Sequence, residues 1–173
     1  MKPHGARLAP DGRIAVPLTD SAGAVHSLEF IAPDGKKLFL AGGRKKGLFF
    51  LLGRPGAVLC VAEGFATAAS VHEASELSAA VAFDCGNLEP VCAALRKAWP
   101  GTRLVLCADD DWRTDRNPGI AAARKAAADC GGAVAVPVFG AERGDKDTDF
   151  NDLARLEGPA AVRSCVERAV AAL

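Results

Sequence analysis

The sequence predicts an α/β fold: a mostly parallel sheet with helices on both faces, preceded by a small β-rich N-terminal subdomain. Three observations predict it. Beyond residue 57, uninterrupted apolar runs alternate with helical segments, the pattern of parallel strands buried on both faces. Before it, short β-rich runs follow one another through turn residues. Between the two, Gly53-Arg54-Pro55-Gly56 interrupts any regular element. The organisation expected is a basic β-rich subdomain over 1–56 and an α/β domain over 57–173.

The elements follow in order. Residues 13–18 and 25–31 are apolar and β-rich, Pro33-Asp34-Gly35 is a turn, and 37–40 returns as a hairpin partner. A polar loop, Gly42 to Gly47, leads into the apolar run 48–52. Residues 58–62 read as a buried strand, 65–76 as an alanine-rich helix and 79–83 as a strand. A helix over 89–99 follows, with Pro90 in its first turn. After the strand 103–108, Asn117 is expected to cap a helix opened by Pro118 and closed by Gly131-Gly132. A fourth strand is expected over 133–139. Pro159 opens a last helix whose Val162, Cys165, Val166, Ala169 and Val170 form an apolar stripe.

Composition narrows the function classes. No apolar run is long enough to cross a bilayer as a helix, and the first residues have no signal-peptide pattern. Six cysteines and three histidines are scattered without a C-x-x-C pair, which argues against a zinc site. Free thiols of this kind fit a reducing compartment, so a cytoplasmic protein is expected. Net charge is zero, but residues 1–57 carry nine Lys and Arg against four Asp and Glu, and the remainder carries twelve against seventeen. A basic front beside an acidic back suits a polyanion-facing surface next to a metal-binding one.

The acidic residues fall where an open α/β sheet places its active site, beyond the carboxyl ends of the strands. Glu63-Gly64 follows the strand 58–62, Asp109-Asp110-Asp111 follows 103–108, and Asp147, Asp149 and Asp152 follow 133–139. Taken singly, each is an ordinary turn or helix cap. Together, on one edge of a parallel sheet, they would repel one another unless a divalent cation neutralised them. Mg²⁺ binds oxygen ligands, commonly one or two carboxylates plus waters and substrate phosphates. Asp109 and Asp111, two apart, point to one side in an extended turn and Asp110 to the other. Gly64 allows close approach to the sheet edge.

These residues resemble the TOPRIM superfamily of primases, topoisomerases, recombination mediators and nucleases. The likeness lies in Val61-Ala62-Glu63-Gly64, Leu106-Cys107-Ala108-Asp109-Asp110-Asp111 and Asp147-Thr148-Asp149-Phe150-Asn151-Asp152. The stretches Glu63 to Val71 and Asp149 to Leu153, and Gly119 with Ala121-Ala122-Ala123, are similar to the primase domain of plasmid and phage primase-helicases. The resemblance covers roughly 57–155 and implies a TOPRIM, Rossmann-like fold. It implies Glu63 as general acid/base or metal-associated carboxylate, Asp109 and Asp111 as ligands of Mg²⁺ (or Mn²⁺), and Asp149 with Asp147 at a second ion. Arg44, Lys45 and Lys46, with Gly64 and Lys146, would meet template or nucleotide phosphates.

The implied activity is DNA primase-like nucleotidyl transfer on a single-stranded DNA template with nucleoside triphosphates. A TOPRIM nuclease or a non-catalytic nucleic-acid-binding module is the alternative. A topoisomerase needs a tyrosine nucleophile, and the sequence has no tyrosine. The N-terminal zinc motif of complete primases and the Gly-x-x-x-x-Gly-Lys-Ser/Thr loop of a helicase are both missing from the sequence. A zinc-binding domain and a helicase, in the same or another chain, are therefore the expected partners, with no membrane association.

Overall fold

The computed structural model describes residues 2–173. Strands β1 (Arg7–Leu8), β2 (Ile14–Thr19), β3 (Val25–Ile31) and β4 (Lys37–Phe39) form an antiparallel sheet in that order. The β3–β4 hairpin turns at Pro33-Asp34-Gly35, where Gly35 takes a φ of 83° and the Asp34 carboxylate accepts from the Lys36 amide at 3.0 Å. The second sheet contains β5 (Phe50–Leu52), β6 (Val58–Ala62), β7 (Ser78–Val81), β8 (Arg103–Cys107) and β9 (Ala133–Ala135), ordered β5-β7-β6-β8-β9. All pairings in it are parallel except that of β5 with β7. The Gly53–Gly56 break thus separates two strands of one sheet.

Helices α1 (Phe65–Ser75), α2 (Leu88–Ala98), α3 (Pro118–Cys130), α4 (Phe150–Glu157) and α5 (Pro159–Ala171) cover both faces of this sheet. Alternation along the strands decides which helices each face meets. Val58, Cys60, Ala62, Val105 and Cys107 pack in one core with residues of α1, α4 and α5. Leu59, Val61, Leu104 and Leu106 pack in the other with residues of α2 and α3. The chain leaves β6 toward β7 on one side and later reaches β8 on the other. The carboxyl ends of β6 and β8 therefore flank the topological switch point, where such sheets bind ligands.

Two expectations needed correction. The strand expected over 133–139 ends at Ala135. Its neighbour β8 ends at Cys107, and Pro137 has no N–H for a ladder, so the apolar residues beyond leave the sheet and Val138 is exposed. The acidic segment 147–152, expected in the loop that follows this strand, instead runs into a helix of its own. Asp149 caps α4, and Asp152 returns the bond in a capping box.

Candidate active site

Glu63 and Asp109 stand just beyond the ends of the central strand β6 and its parallel neighbour β8. Each has a buried carboxylate oxygen, Glu63 Oε1 and Asp109 Oδ1, with no hydrogen-bond partner. Burial pushes the Glu63 carboxyl up to about 7, helped by the charges of Asp111 and Asp84. Asp109 rises to about 8, first through burial and then through Glu63, Asp149 and Asp111. The positive charge that opposes both shifts is Lys37. Four expected residues, Glu63, Asp109, Asp111 and Asp149, therefore share one electrostatic environment.

Local structure explains how they meet. Asp111 accepts from the Gly119 amide at 3.0 Å, at the N-terminus of α3, and its own amide donates to Asn117 Oδ1 at 2.9 Å. Gly119 is required there because a Cβ would lie 2.3 Å from the Asp109 carbonyl oxygen. Asp149 accepts from the Asp152 amide at 2.8 Å and from the Thr67 hydroxyl at 2.7 Å, tying α4 to α1. Burial still raises its carboxyl above the ordinary range despite these bonds. Gly64 opens α1, and a Cβ on it would lie 3.2 Å from the Lys37 ammonium, so glycine admits that side chain.

Other expected residues stand apart. Asp147 accepts from the Gly144 amide at 2.7 Å and is ion-paired with Arg155. Asp110 turns away from the cluster to Arg143, at 2.8 Å. Lys146 is exposed in the loop before α4, and Arg44 and Lys46 are exposed in the loop before β5. Lys45 is ion-paired with Asp84 and lies over the Phe39 ring. Buried Asn87 fastens that basic loop to the second sheet: its amide donates to the carbonyls of Leu48 at 3.1 Å and Ala82 at 2.7 Å, and its carbonyl accepts from Gly47 at 2.8 Å.

Sequence reasoning missed Asp84, Lys37 and Glu29. Asp84 comes just after β7, so the strand-end rule that selected Glu63 selects it too. It follows Phe83, whose φ of 75° is uncommon for a bulky residue and redirects the chain at this point. Lys37 has no local signal, because only the packing of β4 brings it to Gly64. Glu29, 1% exposed on β3, has both carboxylate oxygens unpartnered. Burial raises its carboxyl against the opposing charges of Lys37 and Lys45.

The donor set consists of hard oxygens, two of them buried and unpaired, which suits a divalent cation of the Mg²⁺ or Mn²⁺ type. Among the described residues, no group of three or more Asp, Glu, His or Cys side chains is placed to hold a metal ion. A divalent ion here would draw on one or two of these carboxylates and take its other ligands from water and phosphate oxygens.

This fold with these strand-end carboxylates defines a class, and the chain belongs to it: the Toprim domain family, whose model matches residues 58–160. Within that family the chain is homologous to DNA primases. It is 36% identical over 133 residues to DNA primase TraC of Escherichia coli, a match covering 72% of this chain and 12% of that protein. The chain thus spans about a tenth of the length of the TraC proteins it matches. Its fold is shared with the primase fragment of the bacteriophage T7 primase-helicase protein (TM-score 0.58, 19% identity, 91% of this chain and 62% of that one). It is also shared with the Aquifex aeolicus primase, in a structure of its zinc-binding and RNA polymerase domains (TM-score 0.64, 14% identity, 90% and 40%). No helix among the described residues is long and apolar enough to cross a membrane.

Proposed function

We propose that this chain is the nucleotidyl-transfer centre of a DNA primase, joining nucleoside triphosphates on a single-stranded DNA template with the help of Mg²⁺ or Mn²⁺. The observation that carries the reading is the meeting of Glu63 and Asp109 at the switch point of a primase-type Toprim domain, each with a buried, unpartnered oxygen. Asp109 and Asp111 would hold the cation, and Asp149 would tune it or hold a second. When bound, the ion supplies activation of a 3′-hydroxyl and neutralisation of phosphate charge.

The chain's own groups do the rest. Glu63, with its carboxyl raised to about 7, is suited to accept a proton at neutral pH, since a base works best when its pKa lies near the working pH. Lys37, set against Gly64, and Lys45, at Asp84, bring cationic donors from the N-terminal sheet and its loop to the acidic edge. They would receive triphosphate oxygens, and Arg44, Lys46 and Lys146 would track the template backbone. Positioning and charge stabilisation dominate phosphoryl chemistry, so a rigid sheet edge is an appropriate platform. A zinc-binding domain and a helicase are the proposed partners. The former occurs beside the polymerase domain in the Aquifex aeolicus primase, and the T7 relative is a primase-helicase.

The test is primer synthesis on single-stranded DNA with labelled nucleotides and Mg²⁺, using wild type, Glu63→Gln and Asp109→Asn. Short products that vanish in both variants are expected. Mg²⁺-dependent cutting of the template would turn the reading to a nuclease. Template binding with neither products nor cutting, even with a zinc-binding partner supplied, would turn it to a binding module.

A further inference from the structure

The loop between β9 and α4 contains a side chain that no motif singled out. Arg143 donates from Nη1 to Asp110 Oδ2 at 2.8 Å, from Nη2 to the Asp110 carbonyl at 2.9 Å and from Nε to the Asp147 carbonyl at 2.9 Å. Each guanidinium nitrogen donates one of these bonds, and the bonds connect two different acidic loops. The group also lies over two aromatic rings, 4.4 Å from the Phe139 ring centre and 4.9 Å from that of Trp112, which also carries Arg113 at 3.9 Å. The paired side chains are only 18% and 15% exposed, so this is not the weak ion pair of an open surface. Two further contacts complete the junction. The Asp110 amide donates to the Thr148 carbonyl at 2.7 Å, and Asn117 donates to Asp110 Oδ1 at 2.5 Å.

Asp110 is therefore an anchor. Held outward by Arg143 and Asn117, it fixes the backbone from which Asp109 and Asp111 face the cluster. Thr148, whose carbonyl takes the Asp110 amide, is directly followed by Asp149. We infer that Arg143 is a positioning residue that sets the spacing between the Asp109–Asp111 loop and Asp149, and thereby the affinity of the site for a divalent cation. The role rests on the cation reading proposed above. It is mechanical: the charge opposing the shifts of Glu63 and Asp109 is Lys37, while Arg143 is engaged with Asp110 and Asp147. Lysine cannot substitute, because one ammonium cannot bridge two loops through a planar fork.

The experiment is Mn²⁺ binding followed by the electron paramagnetic resonance of the free ion. Wild type, Asp109→Asn, Arg143→Lys, Arg143→Gln, Asp110→Asn and the Arg143→Gln/Asp110→Asn pair are compared, each with its melting temperature in chelator. Outer residues that orient ligands alter metal affinity by about 10–100-fold. Arg143→Lys is expected to weaken Mn²⁺ binding by about tenfold or more while still melting cooperatively. The double variant is expected to bind no worse than Arg143→Gln alone, since both changes cut one connection. Asp110→Asn preserves the test if Arg143→Gln does not fold, and it is expected to weaken binding in the same direction. Folded Arg143→Lys and Asp110→Asn proteins that bind within twofold of wild type would overturn the role of Arg143 alone. Wild type without Mn²⁺ affinity, or Asp109→Asn with undiminished affinity, would overturn the cation reading and this role with it.

Discussion

Asp109 concentrates the conflict built into this molecule. Its carboxyl is buried, faces Glu63, Asp149 and Asp111, and has one oxygen without a partner. A folded-state pKa raised above the unfolded value means that the folded protein holds the proton more tightly. The penalty is therefore absent below about pH 4 and grows until the folded pKa is passed. Without metal, Asp109→Asn is expected to stabilise the protein at pH 8 and not at pH 4. The expected gain is about 1 kcal/mol or more, or about 3 °C in melting temperature for a chain of this size, measured by thermal unfolding in chelator. The same change should abolish primer synthesis. Glu63→Gln should lower the rate of synthesis by about 10²–10⁴-fold, the usual contribution of a general acid or base.

At the scale of elements, the site depends on how two helices begin. Asp149 caps α4 through its carboxylate, and Asn can accept the same bond whereas Ala cannot. Asp149→Ala should therefore melt lower than Asp149→Asn by about 1 kcal/mol, roughly 3 °C, in metal-free buffer. At α3, Gly119→Ala would drive a Cβ against the Asp109 carbonyl oxygen, at 2.3 Å in the present geometry. Either Asp109 or the helix must move. A loss of about 2 kcal/mol in denaturant unfolding, together with weaker Mn²⁺ binding, is expected.

What the sequence disclosed also divides by element. Helix α3 was legible because Asn117, Pro118 and Gly131 mark its ends, and β6 and β8 because apolar runs advertise burial. Helix α4 was not, because its acidic start reads equally as ligands, loop or cap, and only eight residues follow. The strand-end rule found Glu63 and Asp109 and overlooked Asp84, which satisfies it equally. Lys37 and Arg143 could not be found from the sequence. Lys37 reaches Gly64 and Arg143 reaches Asp110, both distant along the chain, and only packing reveals those contacts.

The whole molecule places a basic antiparallel sheet against the acidic edge of a Toprim domain. Lys37 comes from the first and lies at Gly64 of the second. Lys37→Ala is expected to weaken binding of single-stranded DNA or nucleotide and to lower the slope of log affinity against log salt by about one, as loss of a single phosphate contact would. Stability follows the same division. In chelator the protein should lose stability between about pH 4 and pH 8 as Glu63 and Asp109 are forced to ionise, and Mg²⁺ should restore it at the alkaline end by binding the ionised folded form. Folding alone brings the Glu63 and Asp109 carboxyls together, buried and each with an unpartnered oxygen. The most direct test is carbon-13 NMR titration of the Glu63 and Asp109 carboxyls, with and without Mg²⁺. Midpoints near 7 and 8 that fall when Mg²⁺ is added are predicted. Midpoints near 4 for both, unmoved by Mg²⁺, would contradict it.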